Sequence, residues 1–136
     1  MVFYKNRHQR YQELQQALEQ LKRIAAQDNL ERAELATEYR KVQQFFGNQI
    51  MTADSGELDE SGTLPEQSYL TEIHKQLRMF GTDVTFLQAS RQPATVTARQ
   101  TAAIARLNTL IDYCGAVLQK KYAVFDTAQK AKLITD

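Results

Sequence analysis

Tryptophan is absent, and the 136 residues hold one cysteine, two prolines, five glycines and two histidines. Each scarcity removes a class of structure. So few glycines and prolines leave little room for the many tight connections of an all-β fold. The single Cys114 excludes an intramolecular disulfide and a multi-cysteine metal site. No apolar run approaches the roughly 20 residues that a bilayer span requires, so no membrane insertion is expected. Met1-Val2-Phe3-Tyr4-Lys5-Asn6-Arg7 lacks the uncharged core of a secretion signal, and a reducing cytoplasm is the expected compartment. A charge excess is missing too. The chain sets 17 Lys+Arg against 16 Asp+Glu, a formal net charge of +1, whereas a nucleic-acid domain usually carries an overt basic surplus.

What remains is helical in character. Ala, Leu, Gln, Lys, Arg and Glu dominate, and these are the better helix formers. Apolar residues make up 43% and charged residues 24%, enough for one modest core. Residues 1–136 read as a single all-α domain, a four-helix bundle with helices at about 4–28, 30–53, 66–91 and 94–121.

The periodicity behind those ranges is regular. Tyr4, Tyr11, Leu14, Leu18, Leu21 and Ala25 recur at spacings of 7, 3, 4, 3 and 4, close to a coiled-coil seam. Asp28-Asn29 then interrupts with residues suited to a cap or turn. Leu35, Tyr39, Val42, Phe46, Gln49 or Ile50, and Ala53 carry the second stripe through Gly47-Asn48. Of the adjacent Phe45 and Phe46, only one can point to the centre of that stripe. Residues 54–65 hold four acids, two glycines and a proline, the composition of a flexible acidic loop. Tyr69, Leu70, Ile73, Leu77, Phe80 or Gly81, Val84 and Leu87 form the third stripe. Gly81 inside it fits a close helix approach or a kink. Pro93 disfavours a helical Gln92 and separates the third helix from the fourth. There Val96, Ala103, Leu107, Leu110 with Ile111, Cys114, and Val117 with Leu118 face inward. A last turn through Val124 and Phe125 is open, and 126–136 is expected to fray.

Catalytic chemistry finds few candidates. His8 sits among polar residues, and His74 stands between Ile73 and Lys75; neither belongs to an HxxxH or ExxH pair. Cys114 lies in phase with the apolar stripe, the place of a small buried hydrophobe. The scattered glycines form no phosphate-cradling motif. No catalytic, cofactor or metal residue is therefore assigned. Charge distribution says more than net charge. Residues 54–66 carry five acids, while 67–125 carry seven basic residues against three acidic ones. Lys75, Arg78, Arg91, Arg99 and Arg106 are candidates for a mildly basic face that would suit an acidic protein partner. Phe45 and Phe86 are the aromatics available as anchors.

The stretch from Gln76-Leu77-Arg78-Met79-Phe80-Gly81-Thr82-Asp83 through Val84-Thr85-Phe86-Leu87-Gln88-Ala89-Ser90-Arg91-Gln92-Pro93-Ala94-Thr95 is the most distinctive in the chain. With Arg106-Leu107-Asn108-Thr109-Leu110-Ile111-Asp112-Tyr113-Cys114 and Gln43-Gln44-Phe45-Phe46, it resembles the PatD family of cyanobacterial heterocyst-frequency control proteins. The likeness spans residues 10 to 120 and is strongest over 76–114. It implies a small helical cytoplasmic protein that binds the tubulin-like division protein FtsZ and influences filament assembly or bundling. The family extends into cyanobacteria that form no heterocysts. Bundling requires at least two filament contacts, which a self-associating protein supplies by symmetry. The near-heptad first helix and the Phe45/Phe46 face point to a homodimer. Partner-binding candidates near the signature's core are Arg78, Asp83, Phe86, Arg91 and Gln92; pairing of Asp83 and Arg91 within the bundle is the competing use. Rival readings are a helical adaptor for an unrelated partner and a weak nucleic-acid binder.

Overall fold

The computed structural model describes residues 7–51 and 64–119. Helix α1 covers Arg7–Ala25 and α2 covers Arg32–Phe45, which runs directly into a π-helical segment, Phe46–Met51. Helices α3, Leu64–Ala89, and α4, Pro93–Gln119, complete the chain order. The described residues contain no strand, and the fold is an all-α four-helix bundle.

Boundaries differ from the sequence expectation in instructive ways. Helix α1 ends at Ala25 rather than near 28, closing on Ala26 N–H to Lys22 O and Gln27 N–H to Ile24 O. Helix α2 begins at Arg32, two residues late, because Glu31 is extended at its N-cap (φ −90°, ψ 91°). Leu30 meanwhile packs against the core and fixes the direction in which the chain enters the helix. Helix α3 begins at Leu64, which takes the last two positions assigned to the acidic loop into its first turn. The missing Pro65 N–H matters little there, where amide donors have no intrahelical acceptor. The rest of that loop, the positions of Tyr4 and Ala53, and the 126–136 tail lie outside the described residues.

The expected stripes are the core. Tyr11, Leu14, Leu18, Leu21 and Ala25 are buried on α1, and Leu35, Tyr39, Val42, Phe46 and Ile50 on α2 and its extension. Ile73, Leu77, Phe80, Val84 and Leu87 face them from α3; Ala103, Leu107, Leu110, Cys114 and Val117 do so from α4. Phe46 takes the centre of its stripe and Phe45 is half-buried beside it. The chain continues through Gly47-Asn48 as the period predicts, but it winds wider. Bonding from i to i+5 lengthens the turn beyond 3.6 residues, and the four-residue step from Phe46 to Ile50 stays on one face, as it would in an α-helix. Both side chains stay buried.

Helix α1 packs against α2 and α4, and α3 against the same two, so α1 lies diagonal to α3. Polar ties establish that neighbours are antiparallel. Gln15 Nε2 donates to Ile111 O at 3.2 Å. Gln100 Nε2 donates to Ala25 O (3.0 Å) and Gln27 O (3.1 Å), closing the carboxyl end of α1. Arg32 Nη1 likewise reaches Leu87 O (2.9 Å) and Ser90 O (2.6 Å) at the end of α3. The ties from Gln100 and Arg32 supply donors to carbonyls at or just past helix ends, whereas Gln15 reaches a carbonyl inside α4.

Candidate interaction surface

The core stripe of α3 leaves a second row of side chains on the flank facing α4: Tyr69, Gln76, Met79, Asp83 and Phe86. Antiparallel α4 meets it with Tyr113, Arg106 and Arg99 in order. At one end the Tyr69 and Tyr113 rings lie 5.7 Å apart, tilted by 57°. In the middle Arg106 Nε donates to Asp83 Oδ2 at 2.6 Å, and its Nη1 donates to Gln76 Oε1 at 2.8 Å and to Met79 Sδ at 3.5 Å. Toward the α3–α4 corner, Arg99 Cζ sits 4.4 Å from the centre of the Phe86 ring. That is cation–π geometry.

Two large apolar side chains rise from this seam. Met79 is 39% exposed and Phe86 43%, the two exposed large hydrophobics among the described residues. They are seven residues apart, about 10 Å along the helix axis, with Thr82 between them. Other long apolar side chains on α3 point inward, so the pair is not surplus core.

Charge around the pair is predominantly basic. From Glu72 to Asp112 the basic residues are Lys75, Arg78, Arg91, Arg99 and Arg106, and the acids are Glu72, Asp83 and Asp112; Glu72, half-buried, lies seven residues before Met79 on the same flank. Asp83 is buried and neutralised by Arg106. Lys75, Arg78, Arg91 and Arg99 are exposed, and among the described residues none of the four makes an ion pair. Of the residues singled out by sequence, Arg78 and Phe86 lie on the exposed side of α3. Arg91 and Gln92 lie at the corner, where Gln92 O accepts Val96 N–H at 2.9 Å. Asp83 holds Arg106, not Arg91. Met79 was missed, and its signal was its seven-residue spacing from Phe86, out of phase with Ile73-Leu77-Phe80-Val84-Leu87. Arg106, counted with the basic face, is committed to the seam.

The remaining chemistry is quiet. His8 is exposed, and His74 stacks on Phe46 with ring centres 5.8 Å apart. The described residues hold no group of three metal-ligating side chains, and no helix is long and apolar enough to cross a membrane. An open depression of about 370 Å³ between α1 and the π segment is lined by Glu13, Lys41, Gln44, Phe45, Asn48 and Gln49. Lys41 there already donates to Glu38 Oε1 at 3.1 Å.

Cys114 is fully enclosed, and desolvation pushes its thiol up to about 12. The reactive thiolate is thereby suppressed. Native Cys114 should react with iodoacetamide at pH 8 at least about a hundredfold more slowly than in the unfolded chain; equal rates would contradict this enclosure. Linkage follows with a definite sign. The folded state keeps a proton that the unfolded thiol releases near 9, so this stabilising contribution is intact below pH 9 and is lost as pH rises toward 12. Urea unfolding across that window should show the decline, and Cys114→Ala should flatten it.

Comparison with protein-family models, with curated proteins and with solved structures finds no match to this chain.

Proposed function

We propose that this chain is a non-enzymatic regulator that binds FtsZ in the cytoplasm and modulates filament assembly or bundling, and through it division and heterocyst differentiation frequency. The resemblance to the PatD family supplies the partner. The observation that carries the reading is where that resemblance falls. Its strongest stretch holds Met79, Phe86 and Arg99, the exposed apolar pair and the cation above one member of it.

Bundling needs two contacts per particle, and a homodimer is one way to supply them. Of the features that suggested self-association, the α1 residues from Tyr11 to Ala25 and Phe46 are buried within one chain, and Phe45 is half-buried beside them. The test is co-sedimentation with GTP-assembled FtsZ from the same organism, beside a charge-matched control protein. Saturable pelleting with filaments is expected. Retention in the supernatant across a range of salt and pH would remove FtsZ as the direct partner.

A further inference from the structure

We infer that the α3–α4 seam is a docking surface for an acidic protein segment carrying two apolar anchors, with Met79 and Phe86 receiving the anchors and Arg78, Arg91 and Arg99 the carboxylates. The inference rests on the reading of this chain as a protein-binding module and is independent of which protein is bound.

Three observations converge. The apolar pair is exposed, and its setting is already ordered before any partner arrives. Arg106 is held by Asp83 and Gln76 beside Met79, and Arg99 lies over Phe86. Ordering side chains in advance lowers the entropy cost of binding. A guanidinium resting on a ring face also keeps its N–H edge free for a carboxylate. The third observation is charge. Lys75, Arg78, Arg91 and Arg99 are exposed around the pair, Asp83 is buried under Arg106, and Glu72 is the one other acid on the α3 flank, beyond Met79 from Phe86.

That charge selects the occupant. A second copy docked antiparallel on α3 could set Met79 against the partner's Phe86. It would also bring two sets of basic residues into one interface with a single Glu72 from each copy to meet them, which is unfavourable. Nucleic acid suits the surface poorly as well. The basic residues from Lys75 to Arg91 extend only about 24 Å along α3, the whole chain is nearly neutral, and a single exposed ring is no stacking platform. An acidic segment with apolar residues answers both features. The anchor separation of about 10 Å corresponds to seven residues of helix or three of extended chain.

The first arm titrates the ¹⁵N-labelled full chain with a synthetic peptide rich in Asp and Glu carrying two leucines seven residues apart. A lysine-for-acid version and a single-stranded DNA oligonucleotide serve as comparisons. Saturable shifts centred on Met79, Phe86 and Arg99 are expected for the acidic peptide, weakening as salt is raised. Arg78→Glu with Arg91→Glu, and separately Phe86→Ser, should weaken it about tenfold or more with circular dichroism unchanged. Equal affinity for DNA at the same residues, shifts located elsewhere, absence of saturation, or a concentration-dependent dimer through this face would each overturn the inference. The second arm pellets the same variants with FtsZ filaments. If wild type and the double reversal pellet equally, FtsZ does not dock on this surface and the FtsZ reading stands, the surface then being decided by the peptide arm. If wild type fails to pellet while the peptide still discriminates the variants, FtsZ is wrong and the surface stands.

Discussion

Gly81→Ala should destabilise the bundle by about 2 kcal/mol, where the same change in an ordinary helix interior gains up to about 1 kcal/mol. The reason is Tyr39. A Cβ on Gly81 would lie 2.5 Å from the Tyr39 hydroxyl oxygen, 3.0 Å from Cζ and 3.2 Å from Cε2. The ring cannot simply swing away. Its hydroxyl donates to Leu77 O at 3.1 Å, and its edge packs on Phe80 with centroids 5.5 Å apart. Burial raises the phenol above its ordinary value of 10, so it stays a donor through the neutral range. Overpacking of this kind costs about 1–3 kcal/mol, and the displaced hydrogen bond adds about 1 kcal/mol. Together they outweigh the gain in helix propensity. Tyr39→Phe alone should lose about 1 kcal/mol, through the missing donor. The double variant should lose less than the sum of the two, because the atom at 2.5 Å is gone. Urea unfolding of the four proteins measures that coupling. A stabilised Gly81→Ala, or strict additivity with Tyr39→Phe, would show that the two helices do not approach as described.

Most of the fold was legible because each helix buries one stripe, and a stripe is a local property of sequence. The α1 series from Tyr11 to Ala25 lies in the core residue for residue. The same series could not say whether the facing helix belonged to this chain or another, since both produce the same pattern. The π winding at Phe46–Met51 was not legible, because Phe46 and Ile50, four residues apart, would share a buried face in an α-helix as well. Gly81 was visible as an anomaly, but its cause, Tyr39, stands 42 residues earlier in the chain. At the candidate surface, the positive residues and Phe86 could be read directly. Which cation was already committed could not, because Arg106 finds Asp83 across 23 residues. Met79 went unread because one exposed methionine looks like noise until Phe86 is found two turns along the same flank.

Asp83→Ala should lower stability by about 2 kcal/mol and, by loosening Arg106 beside Met79, weaken partner binding by the folded protein far less than Arg78→Glu with Arg91→Glu does. Breaking a fully buried ion pair costs about 3–5 kcal/mol, chiefly because the remaining charge is left without a counter-ion. Here the side chains retain 12% exposure at Asp83 and 22% at Arg106, so water recovers part of that cost. The carboxylate nonetheless accepts a charge-assisted hydrogen bond of 2.6 Å, and Arg106 also bridges Gln76 to α4. Asp83→Asn keeps an acceptor and should lose about half as much. In a domain of this size the alanine variant's melting midpoint should fall by about 6–10 °C. Arg78→Glu with Arg91→Glu should do the reverse, moving the midpoint little while weakening binding about tenfold or more, because neither side chain makes an ion pair among the described residues. Scanning calorimetry and binding on the same preparations separate the two roles. If Asp83→Ala leaves the midpoint unchanged and abolishes binding, the carboxylate contacts a partner directly, and the seam is not held together by Arg106. If it loses stability with little change in binding, Asp83 is the internal counter-ion of Arg106 and the exposed basic residues carry the contact.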